Sequence, residues 1–180
     1  MLDILIKNAT IVTVKQKRDI LRNAAIAIQG DRIADIGPTG DIEARYPQAG
    51  KAVFPGMINT HNHLFQTNFK GLGDDRALKD WLKDVTWPGS TNLLPEDCYT
   101  GAMIGCIEGI RSGITTQVDY MYPHPREGLD DAVISAFKDL KIRAIFGRGY
   151  MDSGYEYGVQ KAMAQTWQEI EADIERLYDT

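Results

Sequence analysis

At Val53 the sequence changes its hydrophobic period, and that change constrains the fold more than any other feature. Before it, "LDILIKNATIVTV" alternates apolar and polar residues, and "AAIAIQGDRIADIG" is two such runs joined at Gly30-Asp31. Period-two alternation broken by a Gly-Asp pair predicts β-strands and a hairpin. After it, apolar runs at 57–63, 114–119 and 142–148 are separated by stretches with apolar residues three and four apart. One such stretch carries Tyr99, Ala102, Met103, Cys106, Ile107 and Ile110 between Pro95 and Gly113, a helix start and stop. Ala132, Val133, Ala136, Phe137 and Leu140 form a second, and Val159, Met163, Trp167, Ile170, Ile174 and Leu177 predict a third. Strands alternating with helices of this length build parallel βαβ units with right-handed crossovers. The fold class is α/β, with an all-β segment over 1–54 and three βα units over 55–180. Three parallel strands cannot close a barrel of eight and leave an apolar edge open, so the chain reads as the front part of something longer.

Composition narrows the function. Of the 180 residues, 43% are hydrophobic and 25% charged, which suits a soluble globular protein. Twenty basic against twenty-five acidic residues give a net charge of -5, with no basic patch, so neither nucleic acid nor an anionic membrane is an expected partner. No apolar run is long enough to cross a bilayer. Cys98 and Cys106 fall eight apart on one helix, too far to bridge, and two cysteines without a secretory leader point to a cytoplasmic protein.

Within "PGMINTHNHLFQ" (55–66) stand two of the three histidines. Side chains at i and i+2 of a strand share a face, so His61 and His63 aim together, with Asn62 turned away. At the C-terminal end of a barrel strand that face is where active sites are built. Neutral imidazoles suit zinc, iron, copper or nickel, and such a pair supplies two ligands of one ion. Surface or hydrogen-bonded core histidines are the plain alternative, and their adjacency behind Pro-Gly favours metal.

"FPGMINTHNHLFQ", followed by "KGLGDDRALKDWL", "SGITTQVDYMY" and "IRAIFGRGYMD", resembles the metal-dependent amidohydrolase superfamily. Within it the match is to the branch of triazine hydrolases (chlorohydrolases), guanine-type deaminases and S-adenosylhomocysteine deaminases. The resemblance implies the first βα units of a TIM-like (β/α)8 barrel, preceded by the β segment of a small, composite sandwich domain. It makes His61 and His63 the first-strand ligands of one divalent metal, zinc ahead of iron. The later histidine ligands, the proton-shuttling acid and the metal-binding aspartate of the family are not in this sequence, so no catalytic residue is assigned and the chain alone is expected to be inactive. The implied reaction is hydrolysis of a carbon–nitrogen bond, foremost deamination of a small triazine, purine or pterin-type heterocycle by a homo-oligomeric complete protein. Hydrolytic dechlorination of a heterocycle, or a non-catalytic binding or assembly module, are the alternatives.

Three polar residues are candidate substrate contacts. Gln66 lies just past the histidines, where its amide suits a ring heteroatom. His124, in "DYMYPHPREG", falls on the active-site side by topology. Arg148 ends the third strand, where related nucleoside-type deaminases place a substrate-contacting arginine; a buried guanidinium needs either substrate or a neighbouring carboxylate as its mate. Asp119 reads as structural, pairing with loop amides, and Trp81 as core, with Trp87 left open. The ribose-gripping acid of adenosine-type relatives falls at Ser90 here, which predicts a free heterocycle rather than a nucleoside.

Overall fold

The structure, a computed structural model, describes residues 2–15, 19–38 and 44–178. They form two compact units, Met1–Pro55 and Gly56–Thr180.

The first unit is one five-stranded sheet. Its strands are β1 (Leu2–Val12), β2 (Ile20–Gln29), β3 (Arg32–Pro38), β4 (Ala44–Ala49) and β5 (Ala52–Val53), in the order β3-β2-β1-β4 with β5 also on β1. β2 and β3 are antiparallel and turn at Gly30, whose φ of +60° is one that glycine adopts without strain, so the hairpin forms where the sequence put it. β1 runs antiparallel to β2 but parallel to β4 and β5. A break in its register between Ile6 and Ala9, with Asn8 at φ 50°, marks a bulge.

The second unit contains the parallel sheet. β6 (Met57–Asn59) is followed by α1 (Leu78–Trp81), a π turn at Leu82–Thr86, α2 (Trp87–Thr91) and α3 (Pro95–Arg111) before β7 (Ile114–Met121). α4 (Leu129–Leu140) then leads to β8 (Arg143–Arg148), and α5 (Trp167–Tyr178) follows. The sheet order is β6-β7-β8, both pairs parallel. Leu64, Phe65, Cys98, Ala102, Cys106 and Val133 are buried in one cluster with residues of α3 and α4. Glycine lets α3 come close: a Cβ on Gly101 would lie 2.9 Å from the Leu64 carbonyl oxygen, and one on Gly105 2.6 Å from Leu64 Cδ2. Helix α3 thus braces the 3-10 turn Leu64–Phe69 that follows the histidines.

Two expectations need correction. The first strand of this unit was expected to reach residue 63 but stops at Asn59. Asparagine amides compete with the ladder there: Asn59 Oδ1 accepts the His61 amide at 3.3 Å and Asn62 Oδ1 accepts its neighbour's, that of His63, at 2.9 Å. The last helix begins at Trp167, so Val159 and Met163 lie outside it. Thr166 caps it, its Oγ1 accepting the Glu169 amide while Glu169 Oε2 accepts that of Thr166 at 2.7 Å. Val159 and Met163 are buried all the same, against Trp87.

Candidate metal centre

Although β6 ends early, β7 continues to hold the chain that carries the histidines. The Tyr120 amide donates to the Asn62 carbonyl at 2.9 Å, and Asn62 Nδ2 reaches Gln117 Oε1 at 3.4 Å. His63 Nδ1 lies 2.7 Å from the Tyr120 carbonyl oxygen, which only accepts, so Nδ1 carries the proton and Nε2 keeps its lone pair. The Leu64 amide donates to Asp119 Oδ1 at 2.7 Å. Residues 62, 63 and 64 are thus each tied to the end of β7. Asp119 is the structural acid the sequence suggested. Burial pushes its carboxyl up to about 7, although the Leu64 amide pulls the other way.

The His61 and His63 ring centres stand 5.2 Å apart at an interplanar angle of 77°. Two imidazoles bound tetrahedrally through nitrogens about 2.0–2.1 Å from one zinc place their ring centres about 5 Å apart. The spacing, and the Nε2 lone pair on His63, fit a shared divalent ion. Aromatic rings crowd His63: Tyr122 at 5.2 Å, Tyr120 at 5.9 Å and Phe65 at 6.5 Å between centres. Gln66 joins this group, its Nε2 donating to the Tyr122 hydroxyl at 2.6 Å.

His124 and Arg148 belong to a different cluster. The His124 ring is held at Nδ1 by the Tyr122 carbonyl (3.1 Å) and at Nε2 by Asp130 Oδ1 (3.0 Å). Arg148 donates from Nε and Nη2 to Asp173 Oδ2 at 3.0 and 2.8 Å, and from Nη1 to the Gly149 carbonyl, with Asp130 Oδ2 at 3.8 Å. Of the two mates open to Arg148, the structure supplies carboxylates. Burial would raise the Asp173 carboxyl, but the guanidinium groups of Arg148 and Arg176 hold it below the usual range. Ligand atoms of His124, Asp130 and Asp173 lie within 4.8 Å of one another, a spacing a metal would accept. The Arg148 guanidinium already provides positive charge among them, so this trio is a poor host for a second ion. A cleft of about 840 Å³ opens beside it, lined also by Asp131, Glu169 and Arg176.

Sequence reasoning missed Tyr120 and Tyr122. Their i, i+2 spacing at the end of an apolar strand, the same signal that singled out His61 and His63, would have found them. The carboxylate partners Asp130 and Asp173 gave no such signal. Trp81 is half-buried, whereas Trp87 is buried at 8% exposure beside Tyr122. Ser90 is fully buried and its hydroxyl has no partner among the described residues.

Comparison with known proteins gives a consistent picture. Residues 52–178 match the model of the Amidohydrolase family, and residues 24–49 that of an imidazolonepropionase-like composite domain of bacteria. The 5'-deoxyadenosine deaminase of Methanothermobacter thermautotrophicus is 39% identical over 137 residues, 74% of this chain and 31% of that protein. The 5-methylthioadenosine/S-adenosylhomocysteine deaminase of Pelotomaculum thermopropionicum is 33% identical over 172 residues, 92% of this chain and 38% of that protein. The chain therefore spans about a third of the length of these relatives. Among solved structures, the zinc complex of atrazine chlorohydrolase from Arthrobacter aurescens superposes with a TM-score of 0.81 at 25% identity, covering 98% of this chain and 43% of that one. A zinc-bound adenosine deaminase from Xanthomonas campestris gives 0.73 at 26%, covering 99% and 39%.

Proposed function

The chain belongs to the amidohydrolase family, and from that premise we propose that it carries the first half of a metal site in a hydrolase that deaminates a nitrogen heterocycle. The observation behind this reading is the His61–His63 pair, with ring centres 5.2 Å apart and the His63 Nδ1 proton engaged by Tyr120. The two histidines would hold one divalent ion, zinc ahead of iron because the atrazine chlorohydrolase and adenosine deaminase structures reported above are zinc complexes. A metal there supplies Lewis acidity, which brings the pKa of a water towards about 7 so that hydroxide is available near neutral pH.

The chain's own residues do the rest of what can be assigned. Tyr120 fixes the His63 tautomer through its carbonyl, and Asp119 holds the turn that follows. Tyr120, Tyr122 and Phe65 wall the histidine with aromatic faces suited to a flat ring. Gln66, beside that wall, is the substrate contact, while we reassign His124 and Arg148 from touching substrate to securing the loops after β7 and β8. The later ligands and the general base that the family resemblance implies are not among these residues.

The substrate is an aminated six-membered ring within a purine, triazine or pterin. Adenine nucleosides come first, since the relatives reported above are named for them, and this sets aside the expectation drawn from Ser90. The likeness to atrazine chlorohydrolase supports a second reading, loss of chloride rather than ammonia. We place the working protein in the cytoplasm, where its free cysteines would stay reduced, as a homo-oligomer. The test is product analysis: the metal-loaded full-length protein is incubated with 5'-deoxyadenosine, S-adenosylhomocysteine, guanine, an aminotriazine and a chlorotriazine. Ammonia from an amino compound supports the reading, chloride from the chlorotriazine alone transfers it to the second, and neither product refutes both.

A further inference from the structure

We propose that Tyr122 is the hydrogen-bond donor that reads the heterocycle beside His61 and His63, and that with Gln66 it selects a ring nitrogen adjoining an amino group. This rests on the deaminase reading above and sharpens its substrate class.

Tyr122 follows the last residue of β7, and its orientation is fixed by edge-on contacts with His63 at 5.2 Å, Phe65 at 5.1 Å and Trp87 at 6.4 Å between ring centres. A phenol has one proton and two lone pairs. One lone pair is taken by Gln66 Nε2 at 2.6 Å, and the hydroxyl makes no other hydrogen bond among the described residues. The phenolic proton is therefore left to donate.

Gln66 completes the pattern. With Nε2 committed to the phenol, its carbonyl Oε1 has no partner among the described residues and serves as an acceptor. A donor next to an acceptor is the complement of an amidine edge, in which a ring nitrogen accepts and the adjoining amino group donates. A carbon bearing chlorine offers Gln66 no N–H and would leave Oε1 unpaired. Sites built to pair a polar edge reject analogues that lack it, because their own groups are then stranded. The pair thus favours a ring edge in which a nitrogen adjoins an amino-bearing carbon.

The experiment compares the zinc-loaded full-length protein with its Tyr122→Phe variant, which keeps the ring and loses only the hydroxyl. For 5'-deoxyadenosine, kcat/KM is expected to fall by roughly 10- to 100-fold, with zinc content unchanged. Inhibition by the 1-deaza analogue, which has a C–H in place of that ring nitrogen, is expected to be the same in both proteins. An unchanged kcat/KM in the variant, or equal weakening of substrate and deaza analogue, would overturn the role of Tyr122. If the parent protein neither releases ammonia nor binds either compound, the deaminase reading falls and takes this inference with it. Failure of the tyrosine alone leaves the parent active.

Discussion

The Asp119 carboxylate accepts the Leu64 amide proton at 2.7 Å, one residue beyond His63, while its second oxygen is buried with no partner among the described residues. A side chain on one strand thereby completes the backbone of a turn that leaves the neighbouring strand. Asp119→Ala would strand the Leu64 N–H inside the fold. The expected loss is about 1–3 kcal/mol of stability, together with metal affinity weakened roughly 10- to 100-fold through the misplaced His63. Asp119→Asn keeps an acceptor at Oδ1 and should hold metal within a few-fold of the parent. Denaturant unfolding and chelator competition measure the two effects, and equal affinity in the Ala variant and the parent would remove Asp119 from any positioning role.

Arg148 invites a different test. Its side chain is 6% exposed between Asp130 at 3% and Asp173 at 25%. Arg148→Met leaves the buried Asp130 without a guanidinium and Asp173 with Arg176 alone, and breaking a buried pair in this way costs about 3 kcal/mol or more. The expected outcome is a lower thermal midpoint with full metal content. A variant as stable as the parent but with a raised KM would restore Arg148 to the substrate.

The cysteines give the expected pH dependence. Burial pushes Cys98 up to about 12 and Cys106 to about 11, with nearby carboxylates adding to the effect. Thiols react as thiolates, so both should resist alkylation at pH 8 in the folded protein, as read by mass spectrometry of their peptides. The unfolded thiols titrate near 8.5, so between there and about 11 the unfolded chain loses protons that the native one keeps. Stability contributed by the neutral thiols is therefore present below about 8.5 and declines as pH rises above it. Rapid alkylation at pH 8 without unfolding would contradict this.

The 180-residue polypeptide expressed by itself should self-associate. Met57, Ile58 and Ile145 sit on the sheet at 55%, 61% and 60% exposure, leaving large apolar strand residues in water. Concentration-dependent sedimentation and binding of a hydrophobic dye are the expected signs. A monomer with a sharp cooperative transition would argue otherwise.

Much of this was legible in the sequence because it rests on local periodicity. The hairpin at Gly30-Asp31 and the helix from Pro95 follow from turn and cap chemistry within a few residues. Strand order β6-β7-β8 follows from alternation with helices. The early end of β6 was not legible, because whether Asn59 and Asn62 bond their own backbone or face water is decided by tertiary packing. The shift of α5 was legible in principle, from Thr166 and Glu169 as a capping pair, but the apolar spacing of Val159 and Met163 masked it. The partners of Arg148 come from two helices far along the chain, and no local pattern announces them.

The central claim is that His61 and His63 share one divalent ion. It is tested most directly by the zinc content of the full-length protein and of its His61→Ala and His63→Ala variants, purified identically, dialysed against a weak chelator and analysed for metal. The expected result is close to one zinc per chain in the parent and loss of most of it in each variant, with the folded structure retained by circular dichroism. Metal content that is the same in all three proteins would contradict the assignment.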